Sequence, residues 1–302
     1  MDGVIVVDKP QNITSHNVVA RARQIFGVRR VGHIGTLDPM ATGVLPLVVG
    51  KATRLASLLA VGPKIYEGLI KLGLSTDTYD ITGTVVTDSQ NRSGSGPVRP
   101  PNEKSIEEIA VRFTGTFTQI PPPFSAKKIK GVRAYRLARR KTPVTPEAVK
   151  VTVHELNILG VTPTHIRCRV ICEPGFYMRS LAHDLGSVLR CGACLEMLRR
   201  EQSGAFKLKQ SIAFNELDSM ESDIDSHLLS MSDLLPDLPR LVVTATGQKR
   251  ASHGNDLCRS DILSADREWG TETVRLFSEQ GQLLAIAKSN ADLILHPMIV
   301  LV

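Results

Sequence analysis

Gly32-His33-Ile34-Gly35-Thr36-Leu37-Asp38-Pro39-Met40-Ala41-Thr42-Gly43 packs three glycines and a proline into twelve residues. Such a stretch is a shaped loop, not a helix or a strand. Glycine opens backbone conformations that other residues avoid, and Pro39 biases Asp38 away from the α region. His33 and Asp38 are therefore displayed on a stiff turn. Two readings fit the loop alone: an Asp-Pro turn with a hydrogen-bonded histidine beside it, or a loop that presents a carboxylate for chemistry.

Working outward, the β-branched run Val4 to Val7 is closed by the turn residues Asp8-Lys9-Pro10-Gln11-Asn12, and Thr14 and Ser15 then offer helix caps. Val18, Val19, Ala22, Ile25 and Phe26 recur at helical spacing, so strand, turn and helix precede the loop. Val44 to Val49 follows it as an apolar strand, and Pro46 suggests a sheet edge. Lys64 to Gly73 alternates as a strand with Tyr66 near its start. Ser105 and Glu108 form a capping-box pattern ahead of Ile106, Ile109, Ala110 and Phe113. Val151 to Leu159 and Ile166 to Ile171 read as strands, and Leu181, Leu185, Val188 and Leu189 mark a helix face.

The chain has 302 residues, 42% of them hydrophobic, enough for a full core in one large domain or two unequal ones. Five cysteines and a start of Met-Asp-Gly, with no basic-then-apolar leader, point to a reducing cytoplasm. Cys168, Cys172, Cys191 and Cys194 come near a zinc spacing, but the first pair flanks the apolar Val170-Ile171, so no metal site is expected. No apolar run approaches the roughly 18 residues of a membrane helix.

Charge is localised. Pro121 to Pro146 carries Lys127, Lys128, Lys130, Arg133, Arg136, Arg139, Arg140 and Lys141 with no acidic residue, against a net charge of +7 for the whole chain. All the rest is thus slightly acidic, which suits a phosphate-binding footprint better than a uniformly solubilising surface. Residues 210 to 239 contain no lysine or arginine and seven acidic residues, as a helix or linker turned away from nucleic acid would, and a domain boundary falls near 238. Beyond it Thr273 to Phe277 and Leu283 to Ile286 alternate, with Gly254 and Gly281 at turns, so the tail reads as a small β unit.

The opening loop resembles the catalytic loop of the tRNA pseudouridine-55 synthases, the TruB family, whose pattern G-H-x-G-T/A-L-D-P-x-A-x-G is met at every fixed position. Four further stretches resemble the same family in order: Asp8 to Ser15, with Asn12 where glycine is usual; Lys64 to Gly73; the basic segment, with Phe124 replacing a tyrosine and Tyr135 retained; and Gly175 to Phe206, which holds G-x-Y-I-R-like and L-R-R-like motifs. The resemblance implies an α/β chain of the α+β type. A mixed, mainly antiparallel sheet would form the catalytic domain over 1–238, with a PUA-like RNA-binding β domain over 239–302 whose removal is expected to leave the catalytic fold intact. It further implies isomerisation of uridine to pseudouridine at position 55 in the T loop of tRNA, in the cytoplasm, by a monomer with no obligate protein partner.

By residue, the resemblance makes Asp38 the catalytic aspartate, Arg179 its partner and Tyr66 the ring that stacks on the base. His33, Tyr177, Leu198 and Lys9 form the expected substrate-binding set, with Lys9 structural or phosphate-facing rather than catalytic. The basic segment at 121–146 is expected to be an arm over the RNA. The isomerisation oxidises nothing, so no cofactor is expected. Two rivals stand beside this reading: a non-catalytic RNA-binding or RNA-folding protein, and a nucleotidyltransferase, whose H-x-G-H loop fits poorly because Thr36 stands where the second histidine belongs.

Overall fold

The β-branched run at the N-terminus folds as strand β1 (Gly3–Lys9), in which every residue except Asp8 is buried. The chain is described here by a computed structural model that covers residues 1–88, 103–124, 128–129, 132–133, 146–219 and 224–302. After β1, Asn12 takes a φ of 68°, a left-handed conformation that asparagine tolerates better than most side chains, so the turn survives without the usual glycine. Helix α1 (Ser15–Phe26) is capped by the Thr14 hydroxyl, which accepts from Asn17 N at 3.0 Å. Its buried face is Val18, Val19, Ala22 and Phe26, the stripe expected from the spacing.

Strands β2 (Val31–His33) and β3 (Thr42–Val49) bracket the glycine-rich loop. All of β1 pairs antiparallel with β3, from Gly3↔Val49 to Lys9↔Gly43. The other side of β3 meets the strand Ala193–Ser203 at Thr42 and Gly43, and β2 at Leu47 to Val49. Pro46 therefore lies inside the sheet, not at the edge that its sequence suggests. Its carbonyl accepts from Ile34 N at 2.9 Å, so its missing N–H faces the same side, in the gap between two partner strands where no ladder bond is lost.

The main sheet runs from Ile212–Ala213 through β1, β3, Ala193–Ser203, β4 (Lys64–Leu72), His165–Cys172 and Val149–Val161 to Gly115–Gln119, mostly antiparallel. Along β4 burial alternates, which turns Lys64, Tyr66, Gly68, Ile70 and Leu72 inward. The outward residues pair across strands: Glu67 with Arg167 at 2.6 Å, Lys71 with Glu196 at 3.1 Å, and Arg169 with Glu201 at 2.8 Å. Each such exposed pair adds at most about 1 kcal/mol, but together they neutralise that face.

Three expectations need correction. The helix Glu103–Ala110 begins before Ser105, which lies in its first turn instead of capping it. Val188 is exposed at the end of the helix Met178–Val188, whose buried face is Leu181, Ala182 and Leu185. The acidic stretch 210 to 239 is not a free linker, because Ile212–Ala213 and Leu229–Ser230 both pair with β1 and extend the main sheet.

The tail forms its own five-stranded sheet, ordered Ile262–Ala265, Arg240–Val243, Thr273–Phe277, Leu283–Ser289 and Leu295–Val300. It does not stand apart. Val4, Val6, Val44 and Val48, on the outer face of β1 and β3, share one apolar cluster with Phe277, Leu283, Ile286 and Leu301. That shared core runs against the expectation of a dispensable tail, since deleting 239–302 would strip a strand-rich apolar face to water. Phe277→Ala should cost about 3–5 kcal/mol in urea denaturation and keep a single transition for the whole chain. Two separated transitions would mean that the tail folds as an independent unit.

Candidate active site

The glycine-rich loop is fastened from beneath by side chains that the sheet buries. Ser15 Oγ accepts from Leu37 N at 2.9 Å and donates to Leu37 O at 3.1 Å. Lys9, with no exposed surface, donates through Nζ to the carbonyls of Pro10, Ile13 and Pro39 at 2.7, 2.8 and 3.2 Å. Arg200, also fully buried, donates from Nε to Val44 O at 2.8 Å and from Nη2 to Gly35 O at 2.7 Å. Gly35 takes a φ of 67° to bring that carbonyl round, and at Gly43 a Cβ would collide with the Arg200 backbone.

On this platform Asp38 faces Arg179. Arg179 Nε donates to Asp38 Oδ2 at 2.8 Å and Nη2 to Oδ1 at 2.9 Å, a planar two-bond fork. Arg179 is 5% exposed, whereas a third of the Asp38 side chain is open. The guanidinium is held in turn by Thr78 O and Phe124 O, both at 3.0 Å, with Asp80 Oδ2 at 3.7 Å. The start of its helix is fixed by Ser180 Oγ donating to Ile120 O at 2.7 Å and by two hydrogen bonds between the Gln119 amide and the Tyr177 backbone. The carboxylate thus has a pre-set orientation and one open side.

That open side lines a cavity of about 260 Å3, close to the lower end of small-ligand sites at roughly 300 Å3. Its walls include Asp38, Arg179, Tyr66, Tyr177 and Leu198, so five of the seven catalytic and substrate-binding residues named from the sequence converge. Burial pushes the Tyr66 phenol above its ordinary value, while Arg200, which also hydrogen-bonds it, pulls the other way. The phenol therefore stays neutral at physiological pH.

The other two residues lie outside the wall. Lys9 sits under the loop with its ammonium occupied by backbone carbonyls, so it supports the loop from behind and does not line the cavity. Burial lowers its pKa to about 8. His33 is half-buried beside Arg200; its Nδ1 has no partner among the described residues, and burial is the main cause of its lowered pKa.

Two charged wall residues carried no assignment from the sequence. Lys64, 8% exposed, and Arg200 both line the cavity, and burial lowers the Lys64 pKa. Both fall within motifs already quoted, K-x-Y and L-R-R, and it is their burial under the loop, visible only in three dimensions, that sets them apart.

In the arm, Lys128 and Arg133 are opposite one another in a ribbon made by Lys128–Ile129 and Val132–Arg133. Lys127, Lys130, Arg136, Arg139, Arg140 and Lys141 lie outside the described residues. Cys168 and Cys172 are buried thiols pushed up to about 12, and Cys194 up to about 11. Among the described residues no group of three or more His, Cys, Asp or Glu is placed to hold a metal, and no helix is long and apolar enough to cross a membrane.

A mixed sheet that presents one arginine-held carboxylate over an aromatic-lined cavity can hold a flat ring beside an aimed charge, as an enzyme site does. The family comparison makes that specific. Residues 23–178 match the TruB family pseudouridylate synthase N-terminal domain, and residues 179–236 the tRNA pseudouridylate synthase B C-terminal domain. The chain is 40% identical over 303 residues to tRNA pseudouridine synthase B of Solibacter usitatus, covering 100% of both chains. It is 39% identical over 289 residues to that of Syntrophotalea carbinolica, covering 95% of this chain and 92% of the relative. Among solved structures it is similar to a chain of a Cbf5-Nop10-Gar1 complex, with a TM-score of 0.72, 25% identity, and coverage of 99% of this chain and 85% of that one.

The chain belongs to the TruB family and is a tRNA pseudouridine synthase, an isomerase. The non-catalytic and nucleotidyltransferase alternatives are set aside with that membership.

Arg179→Lys keeps a charge but loses the planar fork, so turnover should fall about 100-fold while tRNA affinity is retained. A parental rate in this variant would remove the pair from catalysis. Lys9 carries a pH signature. The folded chain holds that proton less tightly than the unfolded chain, whose lysine titrates near 10.5, so unfolding takes up a proton between pH 8 and 10.5 and stability rises with pH across that window. Lys9→Met should flatten the rise in a pH series of chemical denaturation, and an unchanged slope would show that Lys9 does not titrate there.

Proposed function

We propose that the chain acts on the uridine at position 55, in the T loop of tRNA, with Asp38 as the carboxylate that carries the rearrangement. The observation behind this reading is the Asp38–Arg179 fork at 2.8 and 2.9 Å, open on one side to the cavity above Tyr66. The target base must leave its stack at a cost of a few kcal/mol. Stacking on Tyr66, worth roughly 1–3 kcal/mol, offsets much of that cost, and Tyr177 and Leu198 close round the base.

In the isomerisation the N1–C1′ bond breaks, the base turns, C5 bonds to C1′, the C5 proton leaves to solvent and N1 takes up a proton in its place, so atoms and charge balance. Asp38 takes part by attacking the ribose or the base, or by removing a ribose proton; in each case the guanidinium fork aims it. The wall cations Lys64 and Arg200 face the electron-rich detached base. The arm, with Lys127, Lys128, Lys130, Arg133, Arg136, Arg139, Arg140 and Lys141, holds the backbone of the T stem, and the tail acts as a PUA-like RNA contact. The enzyme works as a monomer in the cytoplasm.

The test is release of tritium from C5-labelled uridine in tRNA. Release should follow substrate carrying uridine at 55 and vanish when that position alone is cytidine; continued release would place the target elsewhere. Changing Lys127, Lys128, Lys130 and Arg133 together to Ala should flatten the salt dependence of binding by about 0.9 for each phosphate that the arm no longer neutralises. An unaltered slope would rule out direct phosphate binding by the arm.

A further inference from the structure

Two of the groups that hold Arg179 come from one turn. Thr78 supplies its carbonyl at 3.0 Å and Asp80 its carboxylate at 3.7 Å. Asp80 is itself buried, and its Oδ1 accepts from Thr78 Oγ1 at 2.9 Å, Thr82 N at 3.0 Å and Thr82 Oγ1 at 2.6 Å. Between these two anchors stands Tyr79, with a φ of 64°. That left-handed region is ordinarily left to glycine or asparagine, and a bulky residue persists in it only where its surroundings over-determine the conformation.

One strong constraint on Tyr79 is visible. Its ring lies flat on the imidazole of His183, with centroids 3.9 Å apart and planes within 9°. His183 is one helical turn beyond Arg179, on the same face of the helix Met178–Val188. Tyr79 O also accepts from Leu195 N at 3.0 Å, which fixes the backbone on the sheet side of the turn. The ring contact fixes it on the helix side. Burial lowers the His183 pKa, so the imidazole is neutral at physiological pH and stacks as an uncharged ring.

We propose that the Tyr79–His183 stack is a positioning clamp, which docks the Thr78–Asp80 turn onto the arginine helix and so sets the angle at which Arg179 presents its fork to Asp38. Neither Tyr79 nor His183 lines the cavity, so both act through Arg179. This rests on the reading of Asp38 and Arg179 as the working pair.

Tyr79→Gly tests the clamp, because glycine adopts the φ of 64° without strain and removes only the ring. It should lower kcat about 10- to 100-fold with KM for tRNA unchanged, as a small misplacement of a catalytic group does. His183→Ala gives the same readout from the other partner, and the double variant should be no slower than the slower single one. Tyr79→Phe, which keeps the stacking ring, should retain the parental kcat. The clamp is refuted if Tyr79→Gly and His183→Ala turn over at the parental rate, if KM rises in step with the drop in kcat, or if Tyr79→Phe is as slow as Tyr79→Gly. Arg179→Lys measured alongside separates the two ideas. If it is slow while Tyr79→Gly is not, only the clamp fails; if both keep the parental rate, the Asp38–Arg179 pair itself is wrong.

Discussion

A two-bond contact between Asp38 and Arg179 sets what the rest of the structure has to accomplish. The carboxylate sits on a loop and the guanidinium on a helix 141 residues away in sequence, so the fork closes only if the intervening sheet holds both ends still. An arginine this buried also needs its remaining donors satisfied, and Thr78 and Phe124 supply the carbonyls. Leaving the charge unpaired would cost several kcal/mol, so Asp38 and its surroundings stabilise Arg179 as much as Arg179 orients Asp38.

Beneath the pair, two buried cations do the work of hydrophobic residues elsewhere in the core. Lys9 and Arg200 have almost no access to water, yet each is surrounded by backbone carbonyls that a shaped loop would otherwise leave unsatisfied. A loop with three glycines has much freedom to lose, and these fixed donors specify one path for it. Conformational precision at the carboxylate is thus supplied by charge at the back of the loop, while the front stays open to the cavity.

Local chemistry was readable from the sequence wherever a residue's role depends on its immediate neighbours. The Thr14 cap, the alternating strand with Tyr66 and the helix face of α1 all follow from spacing and propensity, whereas the left-handed Asn12 was legible only because it stands where the family resemblance has a glycine. Pairings across the sheet were not so readable. Pro46 looks like an edge residue until its two partner strands are seen to leave a gap opposite it, and the acidic stretch after 210 looks like a linker until its short strands pair with β1. The Asp38–Arg179 pairing came from family resemblance, since in the sequence alone Arg179 is one basic residue among many. Arg200 and Lys64 were missed because burial, not residue type, gives them their place.

The central claim is that the charge on Asp38, and not merely the shape of its loop, drives the reaction. Asp38→Asn preserves size and much of the hydrogen bonding, and single-turnover conversion of uridine to pseudouridine at saturating enzyme isolates chemistry from binding. The account predicts a folded protein that binds tRNA as the parent does and forms no pseudouridine. Conversion at the parental rate would contradict it and reduce the loop to a structural turn.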